Sequence, residues 1–342
     1  MDYLALLNQG SVTTSFFDQN KPLPLVITDT SNSISLIEWA SNNSEVIKQC
    51  VFKYGAVLCR GFVVKSHKDF ERYIRLTSAG ALPYHERSSP RDQVEGNIYT
   101  STSQRADQSI FLHNEQSYNL NFSRNIYFYC EVPAAVGGET PLADTRKILE
   151  RIPEPLKLKL VEKGYQYQRN FSELFGLTWQ EAYQTRDRNE VESYCTQNDI
   201  QFEWADGDIE LRTRQKRAVI AIHPFTKERC WFNHCTFFNF KTLSEQVQSS
   251  LSAIFDMKNV PNQTCFGDGT PFSHSEIIQL QQAYLAEKVS FKWESSDVLM
   301  VDNMLSSHGR EPFQGNRRVL TGLSEPTLWS DVQDKEMMVL EI

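Results

Sequence analysis

The sequence lacks a long apolar run and any excess of basic residues. Nothing in its 342 residues approaches the roughly 18 consecutive apolar residues of a membrane-spanning helix. The N-terminal segment MDYLALLNQGSVTTSFFDQN has no basic region, long apolar core or small-residue cleavage site. The formal net charge is −8, whereas nucleic-acid-binding proteins usually carry a basic surface. We therefore expect a cytoplasmic protein whose partner is neither a membrane nor a nucleic acid.

Cysteine pairs, sequence repeats and flexible linkers are also missing. The seven cysteines are odd in number and scattered, and no CxxC occurs. This pattern argues against a zinc ribbon and against a disulfide framework, so reduced thiols are expected. Without internal repeats, low-complexity tracts or linkers rich in Pro, Gly or Ser, residues 1–342 are predicted to form a single domain.

Short strand patterns predominate in the chain, and helical patterns interrupt them. The strand-like segments are AVLCRGF, NIYFYCEV, AVIAIHPF, CWFNHCTFFNF, VSFKWE, DVLMVDN and RRVLTGL. The helical segments are SISLIEWASNNSEVIKQCVFKYG, HKDFERYIRLTSAG, SEQVQSSLSAIFDM and SEIIQLQQAYLAEK. In the first of them, the polar stretch SNNS is predicted to interrupt the helix. Because regular strand–helix alternation is absent, we expect a mainly β jelly roll with flanking helices. Helical insertions are predicted at about 146–190 and 242–288.

A histidine and a carboxylate lie two residues apart in FLHNEQSYNL. His113 and Glu115 would share one face of a strand but would not be neighbours on a helix. The pair alone is compatible with a metal site, a salt bridge or coincidence. His308 in DNMLSSHGR lies between two predicted strands, and a closed sheet could bring it to the pair. Two histidines and a carboxylate form the open facial triad of non-heme Fe(II) oxygenases, whereas a structural zinc site fills four positions.

The other histidines carry weaker signals. His67, His85 and His274 lie at helix starts or in a loop, so we expect them to be solvated. His223 precedes a proline at a strand end, where it could serve structure or substrate. His234 in FNHCTFF alternates with aromatic residues and is predicted either to line a cavity or to fill the core.

Four ordered motifs over residues 50–325 resemble the taurine/2-oxoglutarate dioxygenase (TauD/TfdA) family. They are LHNE, GGETPLAD, DNMLSSHGR and GNRRVL, and GAVLCRGF matches a further strand of the family. The resemblance is greatest to the standalone syringomycin-type (SyrP-like) amino-acid hydroxylases. It implies a double-stranded β-helix of the clavaminate synthase-like type that uses Fe(II), 2-oxoglutarate and dioxygen. It also implies that His113, Glu115 and His308 are the catalytic metal ligands.

The same resemblance implies how 2-oxoglutarate is held. Thr140 in GGET matches the threonine that hydrogen-bonds the far carboxylate, and Arg318 matches the arginine that grips it. Neighbours on a strand face opposite ways, so either Arg318 or Arg317 points inward; Arg318 is favoured. Taurine-processing members carry an arginine four residues beyond that anchor, where this chain has Gly322, which argues against taurine. The carboxylate at Glu115 argues against halogenation.

The predicted reaction is hydroxylation of an unactivated C–H bond, with 2-oxoglutarate converted to succinate and carbon dioxide. The resemblance implies an amino-acid substrate, either free or bound to an acyl or peptidyl carrier protein, in nonribosomal-peptide or antibiotic biosynthesis. Desaturation or epoxidation on the same scaffold, or a non-catalytic barrel that binds a small molecule, are the alternatives. Gln116, Ser117 and Tyr118 are predicted to offer polar groups beside the iron. The basic run 211–217 is predicted to contact the substrate, an acidic carrier protein or only water.

Overall fold

The computed structural model describes residues 2–83, 92–102, 104–173, 176–205, 209–256 and 259–334. The helices are α1 (Tyr3–Leu7), α2 (Leu36–Tyr54), α3 (His67–Thr77), α4 (Thr145–Arg151), α5 (Glu154–Lys163), α6 (Trp179–Tyr183), α7 (Arg188–Gln197), α8 (Glu245–Ile254), α9 (His274–Glu287) and α10 (Trp329–Val332), with a 3₁₀ turn at Phe240–Thr242.

The strands of the first half are β1 (Val12–Ser15), β2 (Leu25–Asp29), β3 (Ala56–Arg60), β4 (Gln93–Glu95), β5 (Ile98–Thr100), β6 (Ile110–His113), β7 (Asn121–Val132), β8 (Val136–Gly137), β9 (Leu142–Asp144) and β10 (Tyr165–Phe171). Those of the second half are β11 (Gln201–Ala205), β12 (Glu210–Arg217), β13 (Ile220–Ile222), β14 (Arg229–Trp231), β15 (Asn262–Phe266), β16 (Val298–Asp302), β17 (Ser306–Arg310), β18 (Phe313–Gln314) and β19 (Arg318–Leu328).

A large sheet and a small sheet form the jelly roll. The large sheet has the strand order β1-β2-β3-β16-β7-β19-β5-β4, and the small sheet has the order β6-β17-β9. Only β2 and β3 pair in parallel within the large sheet; its other pairs are antiparallel. The prediction of a mainly β double-stranded β-helix with flanking helices is therefore confirmed.

The large sheet is covered on both faces, which explains its nearly continuous apolar strands. Along β7, Tyr127 and Tyr129 pack on α3 through ring contacts and belong to the core beneath α2 and α3. Phe128 and Cys130 point the other way and share a second core with Leu142 of the small sheet. The residues of β7 that face the small sheet, including Phe128 and Cys130, therefore line the space between the two sheets.

Two segments predicted as helical insertions contain strands as well. Helices α5 and α6 lie within 146–190, α4 begins one residue before that segment, and α8 and α9 lie within 242–288. Each segment also contributes one strand, β10 and β15, which pair with each other in a sheet of order β11-β12-β10-β15. The two insertions thus each add one strand to a separate sheet, whose other strands, β11 and β12, lie between the insertions in the sequence. The place of the insertions within a single 1–342 domain stays a prediction.

Several local predictions were wrong. VSFKWE forms no strand and contributes only an isolated bridge between Val289 and Leu142. Most of CWFNHCTFFNF is loop, because β14 ends at Trp231. Helix α2 is continuous through SNNS, where Asn42 and Asn43 donate their side-chain amides to carbonyl oxygens one turn earlier. These polar side chains therefore form hydrogen bonds with the helix backbone and do not interrupt the helix.

The cysteine prediction agrees with the structure, since all seven cysteines are buried and free. In the part of the chain that the structure describes, none of the helices combines the length and apolarity needed to cross a membrane.

Replacing Gly55 with Ala should destabilise the fold more than the same change at Gly10. Both glycines have left-handed backbones, with φ of 78° and 61°, which costs an alanine about 1–2 kcal/mol. A Cβ at Gly55 would lie 2.3 Å from Oγ of Ser306, whereas one at Gly10 would meet nothing within 4 Å. We expect G55A to lose at least about 1 kcal/mol more through overpacking, measured by urea unfolding. Equal losses in the two variants would contradict the close packing of α2 on β17.

Candidate metal centre

Adjacent strands of the small sheet carry the two histidines. His308 lies on β17, the central strand, and is the direct cross-strand partner of His113 on β6. Their ring centroids are 4.6 Å apart. On its other side, β17 pairs with β9, where His308 lies opposite Leu142. The sheet thus brings together two residues that are far apart in the sequence, as the closed-sheet prediction requires.

Glu115 completes the cluster from a turn. His113 is the last residue of β6, and Glu115 follows in the turn after it, so the prediction that the two share a strand face was wrong. One ligand atom from each of His113, Glu115 and His308 lies within 4.8 Å of the others. Glu115 is 3% exposed and His308 is 5% exposed, whereas His113 is half-buried, so the cluster lies largely inside the protein.

The donor set fits a divalent ion such as Fe(II). Nδ1 of His113 lies 2.9 Å from the carbonyl oxygen of Phe111. Because a carbonyl only accepts, Nδ1 carries the proton and Nε2 keeps the lone pair that a metal ligand needs. Two imidazole nitrogens and one carboxylate oxygen match the open facial triad of non-heme Fe(II) sites. Within the described residues, the group has no fourth His, Cys, Asp or Glu, unlike a closed zinc site.

An aromatic wall lies beside His113. Phe237 stacks on its ring with centroids 4.3 Å apart, and His234 lies 5.8 Å away. His234 itself stacks on Phe238 and has its Nδ1 2.5 Å from Oγ of Ser117. Burial lowers the pKa of His234 well below its usual value, and the nearby His113 adds to this shift. His234 is therefore a neutral imidazole at pH 7. It is buried and hydrogen-bonded, as the core interpretation requires, and its ring lies next to that of His113.

Thr140 is buried next to the small sheet. It lies two residues before Leu142, the cross-strand partner of His308, and is 2% exposed. Its Oγ1 accepts a hydrogen bond of 3.1 Å from Nε1 of Trp293. Since Trp293 already donates to this oxygen, the hydroxyl hydrogen of Thr140 is free to be donated to an acceptor.

Arg318 does not point into the cavity, contrary to the prediction. Its side chain is 52% exposed, and its Nε lies 2.6 Å from Oε2 of Glu131. The reason is strand alternation: Val319 is buried in the core between the sheets, so Arg318 faces outward. A register shift between Arg318 and Val319 also marks the start of β19. The sequence alone could not tell which face of β19 is turned toward the small sheet, and hence which of the two arginines points inward.

Arg317 is the inward arginine. Its Nε donates to the carbonyl oxygen of Gly138 at 3.0 Å, two residues before Thr140. Burial, with the nearby guanidinium of Arg310, lowers the pKa of Arg317 to about 10. A half-buried cation close to another cation is stabilised by an anionic ligand.

Gly322 lies on the outer face with Arg318. A Cβ built there would be 2.6 Å from Cδ1 of Ile74, on helix α3. The position does not reach the cavity between the sheets, so the argument against taurine that was based on Gly322 has no structural support.

Arg310 has a structural role beside the cluster. It lies two residues after His308 on β17 and is 4% exposed. Its guanidinium donates to the carbonyl oxygens of Gln104, Arg105 and Gln108, at 2.9, 2.5 and 2.7 Å. These bonds fix the segment that leads into β6, and hence the position of His113.

The basic run 211–217 divides between the two faces of β12. Arg217 is buried, and its Nε donates to the carbonyl oxygen of Tyr118 at 2.8 Å. Arg214 and Lys216 point to the exposed face. Arg217 therefore supports the backbone of Tyr118, a structural role that differs from the contacts with substrate, carrier or water that were considered for the run.

The other histidines that the structure describes are not part of the cluster. His223 is fully buried and its Nε2 lies 3.0 Å from Oδ2 of Asp302, which gives it a structural role. His67 is half-exposed and His274 is exposed, as expected. His85 lies outside the described residues.

Two aromatic neighbours of the site were not predicted individually, although the segment FNHCTFF, which contains one of them, was expected either to wall the pocket or to fill the core. Phe237 lies in CWFNHCTFFNF and Trp293 lies in VSFKWE, segments that were assigned to strands. Their density of aromatic residues was the available signal, since large rings in a loop need a buried surface to pack against.

Comparisons with known proteins agree with this geometry. Residues 19–324 match the family described as taurine catabolism dioxygenase TauD, TfdA. The chain is 34% identical to dapdiamide synthesis protein DdaC of Enterobacter agglomerans, over 88% of this chain and 91% of that protein. It is 28% identical to a clavaminate synthase-like protein of Arabidopsis thaliana, over 89% and 94%.

The fold is similar to that of PvcB from Pseudomonas aeruginosa, with a TM-score of 0.54 at 13% identity, over 96% of this chain and 98% of that chain. PvcB is an Fe, alpha-ketoglutarate dependent oxygenase from an isonitrile synthetic pathway.

Replacing Glu115 with Ala should weaken the binding of Mn(II), used as a redox-stable probe, by more than about 100-fold, because one of three ligands and its charge are lost. Anaerobic calorimetric titration measures this affinity. Glu95→Ala is the matched control, because Glu95 also lies beside a histidine, 2.6 Å from His67, but at the surface. Equal Mn(II) affinities in E115A and E95A would contradict the assignment of the cluster.

Proposed function

Because the chain belongs to the taurine catabolism dioxygenase TauD, TfdA family, we propose that it is an Fe(II)- and 2-oxoglutarate-dependent dioxygenase that hydroxylates an amino acid or a carrier-bound aminoacyl group. The observation that carries this proposal is the convergence of His113, Glu115 and His308 within 4.8 Å. Three protein ligands leave positions for a chelating cosubstrate and for dioxygen. These three residues are proposed as the metal ligands and the catalytic residues.

A bound Fe(II) supplies the activation of dioxygen, coupled to the oxidation of 2-oxoglutarate. The protein's own part is to hold and orient the reactants. His113 and His308 are fixed by the ladder of the small sheet, and the neutral His234 and the ring of Phe237 cover one side of His113. This cover limits access of water to that side of the centre.

Arg317 and Thr140 are proposed to hold the far carboxylate of 2-oxoglutarate. Thr140 belongs to the segment 138–140, and Arg317 is hydrogen-bonded to the carbonyl oxygen of Gly138 in the same segment. A guanidinium offers charge-assisted hydrogen bonds to a carboxylate, and the hydroxyl of Thr140 adds a neutral one. The lowered pKa of Arg317 supports this role, because an anion beside it would offset the cost of its burial.

The substrate is proposed to be a small amino-acid-like molecule. The name of DdaC places that relative in dapdiamide synthesis, which supports a role in the biosynthesis of a peptide-like natural product. In the wall beside Glu115, Gln116 and Ser117 are buried polar residues, and they are proposed to orient the substrate. A carrier-bound form of the substrate is part of this proposal.

The purified enzyme should form succinate only when Fe(II), 2-oxoglutarate and dioxygen are all present. Mass spectrometry across a panel of amino acids, offered free and on carrier proteins, should show one product that has gained one oxygen atom. Loss of two hydrogens instead would indicate desaturation. A protein that gives no succinate and no visible absorption band with anaerobic Fe(II) and 2-oxoglutarate would be a binding barrel without turnover.

Arg317→Ala should raise the KM for 2-oxoglutarate by about 10- to 100-fold, because hydrogen bonds to a charged group contribute roughly 1.5–3 kcal/mol. Arg318→Ala is the adjacent control, and it should leave this KM unchanged, since its guanidinium faces Glu131 at the surface. Succinate formation at varied 2-oxoglutarate measures both. A raised KM in R318A with an unaltered R317A would reverse the assignment.

A further inference from the structure

We propose that Asn114 and Asn303 form a reciprocal clasp that positions Glu115 for metal binding. Each asparagine lies in one of two turns, and each binds the backbone of the other turn through its side chain. The inference deepens the proposed function and rests on it, since it concerns the orientation of a proposed metal ligand. Neither asparagine is proposed to touch the metal; both are positioning residues.

Asn303 fixes both backbone polar groups of Glu115. Its Oδ1 accepts from the Glu115 N–H at 2.7 Å, and its Nδ2 donates to the Glu115 carbonyl oxygen at 2.8 Å. The same Nδ2 donates to the carbonyl oxygen of Ser123 at 2.9 Å, at the start of β7. Asn303 is 0% exposed, so no solvent competes for these bonds.

Asn114 completes the clasp from the opposite side. Its Nδ2 donates to the carbonyl oxygen of Asn303 at 2.6 Å and lies 3.3 Å from that of Ser306. Ser306 begins β17, the strand that carries His308. The turn bearing Glu115 is therefore tied to the segment that leads into the strand of the third ligand.

The turn needs such a tie because no strand ladder holds Glu115. The ladder between β6 and β17 pairs His113 with His308, and β6 ends there. The next residue after Glu115, Gln116, has a left-handed φ of 55°, a conformation that costs a non-glycine residue about 1–3 kcal/mol and persists only where surrounding contacts enforce it. The asparagine bonds are those contacts for the Glu115 backbone.

Asp302 fixes the shape of the second turn. Its Oδ1 accepts from the backbone N–H groups of Met304 and Leu305 at 2.9 and 3.1 Å. These bonds fix the backbone conformation between Asn303 and β17. The clasp therefore holds Glu115 at a defined distance from His308.

The test is the affinity of the full-length protein for Mn(II), measured by anaerobic calorimetry without turnover. We expect Asn303→Ala and Asn114→Ala each to weaken Mn(II) binding by about 10- to 100-fold, the usual effect of removing groups that orient metal ligands. Either substitution breaks the same clasp, so the double variant should bind only about as weakly as the weaker single variant.

Asn239→Ala is the matched control for a loss of folding stability alone. Asn239 is 2% exposed, and its Nδ2 donates to the carbonyl oxygen and to Oγ1 of Thr264, both at 2.9 Å. This variant should lower the midpoint of thermal unfolding but keep the Mn(II) affinity. The midpoint is measured for every variant, and Asn114→Ala carries the test if Asn303→Ala does not fold.

The outcomes separate the clasp from the proposed function. If the unaltered protein does not bind Mn(II), the proposed function fails. If it binds Mn(II) and the folded Asn303→Ala or Asn114→Ala variant binds equally well, the clasp is wrong and the proposed function stands. A loss of affinity in Asn239→Ala as large as in Asn303→Ala would also overturn the clasp, since it would show a general effect of destabilisation.

Discussion

The pairing of β6 with β17 is the constraint on which the rest of the site depends. This register places His113 opposite His308, and the central position of β17 in the small sheet prevents it from shifting independently of β9. A slip by one residue would turn one imidazole to the other face of the sheet. Glu115 then needs only a short turn to reach the same point, because it follows directly from the end of β6.

The parts of the fold that could be predicted are those in which a buried surface imposes a simple pattern. β3, β7, β16 and β19 are covered on both faces, and their apolar runs identified them. β10 was missed because its buried residues alternate with half-buried polar ones, within a segment otherwise rich in helix formers. β15 was missed because its first three residues, Asn262, Gln263 and Thr264, are polar. VSFKWE has the composition of a strand, but its aromatic residues pack in a loop, and burial of rings does not require a strand.

For the site, the identity of the candidate ligand residues could be predicted from the sequence, but the directions in which side chains point could not. The ordered motifs identified His113, Glu115 and His308, whose ligand atoms lie together in the structure. The choice between Arg317 and Arg318 depended on which face of β19 is buried, and that face is set by Val319 packing between the sheets. In the same way, the turn after His113 depends on hydrogen bonds to Asn303, a long-range contact that local spacing does not encode.

The separate sheet formed by β10, β11, β12 and β15 has a consequence for how related enzymes diverge. It reaches the metal centre through side-chain rings: Tyr167 of β10 stacks on Phe238, which stacks on His234. None of its strands carries a proposed ligand. Substitutions in β10 or β12 can therefore change the surroundings of His234 while the small sheet keeps the geometry of the metal ligands. Substrate preference can thus change during evolution without a change in the ligands themselves.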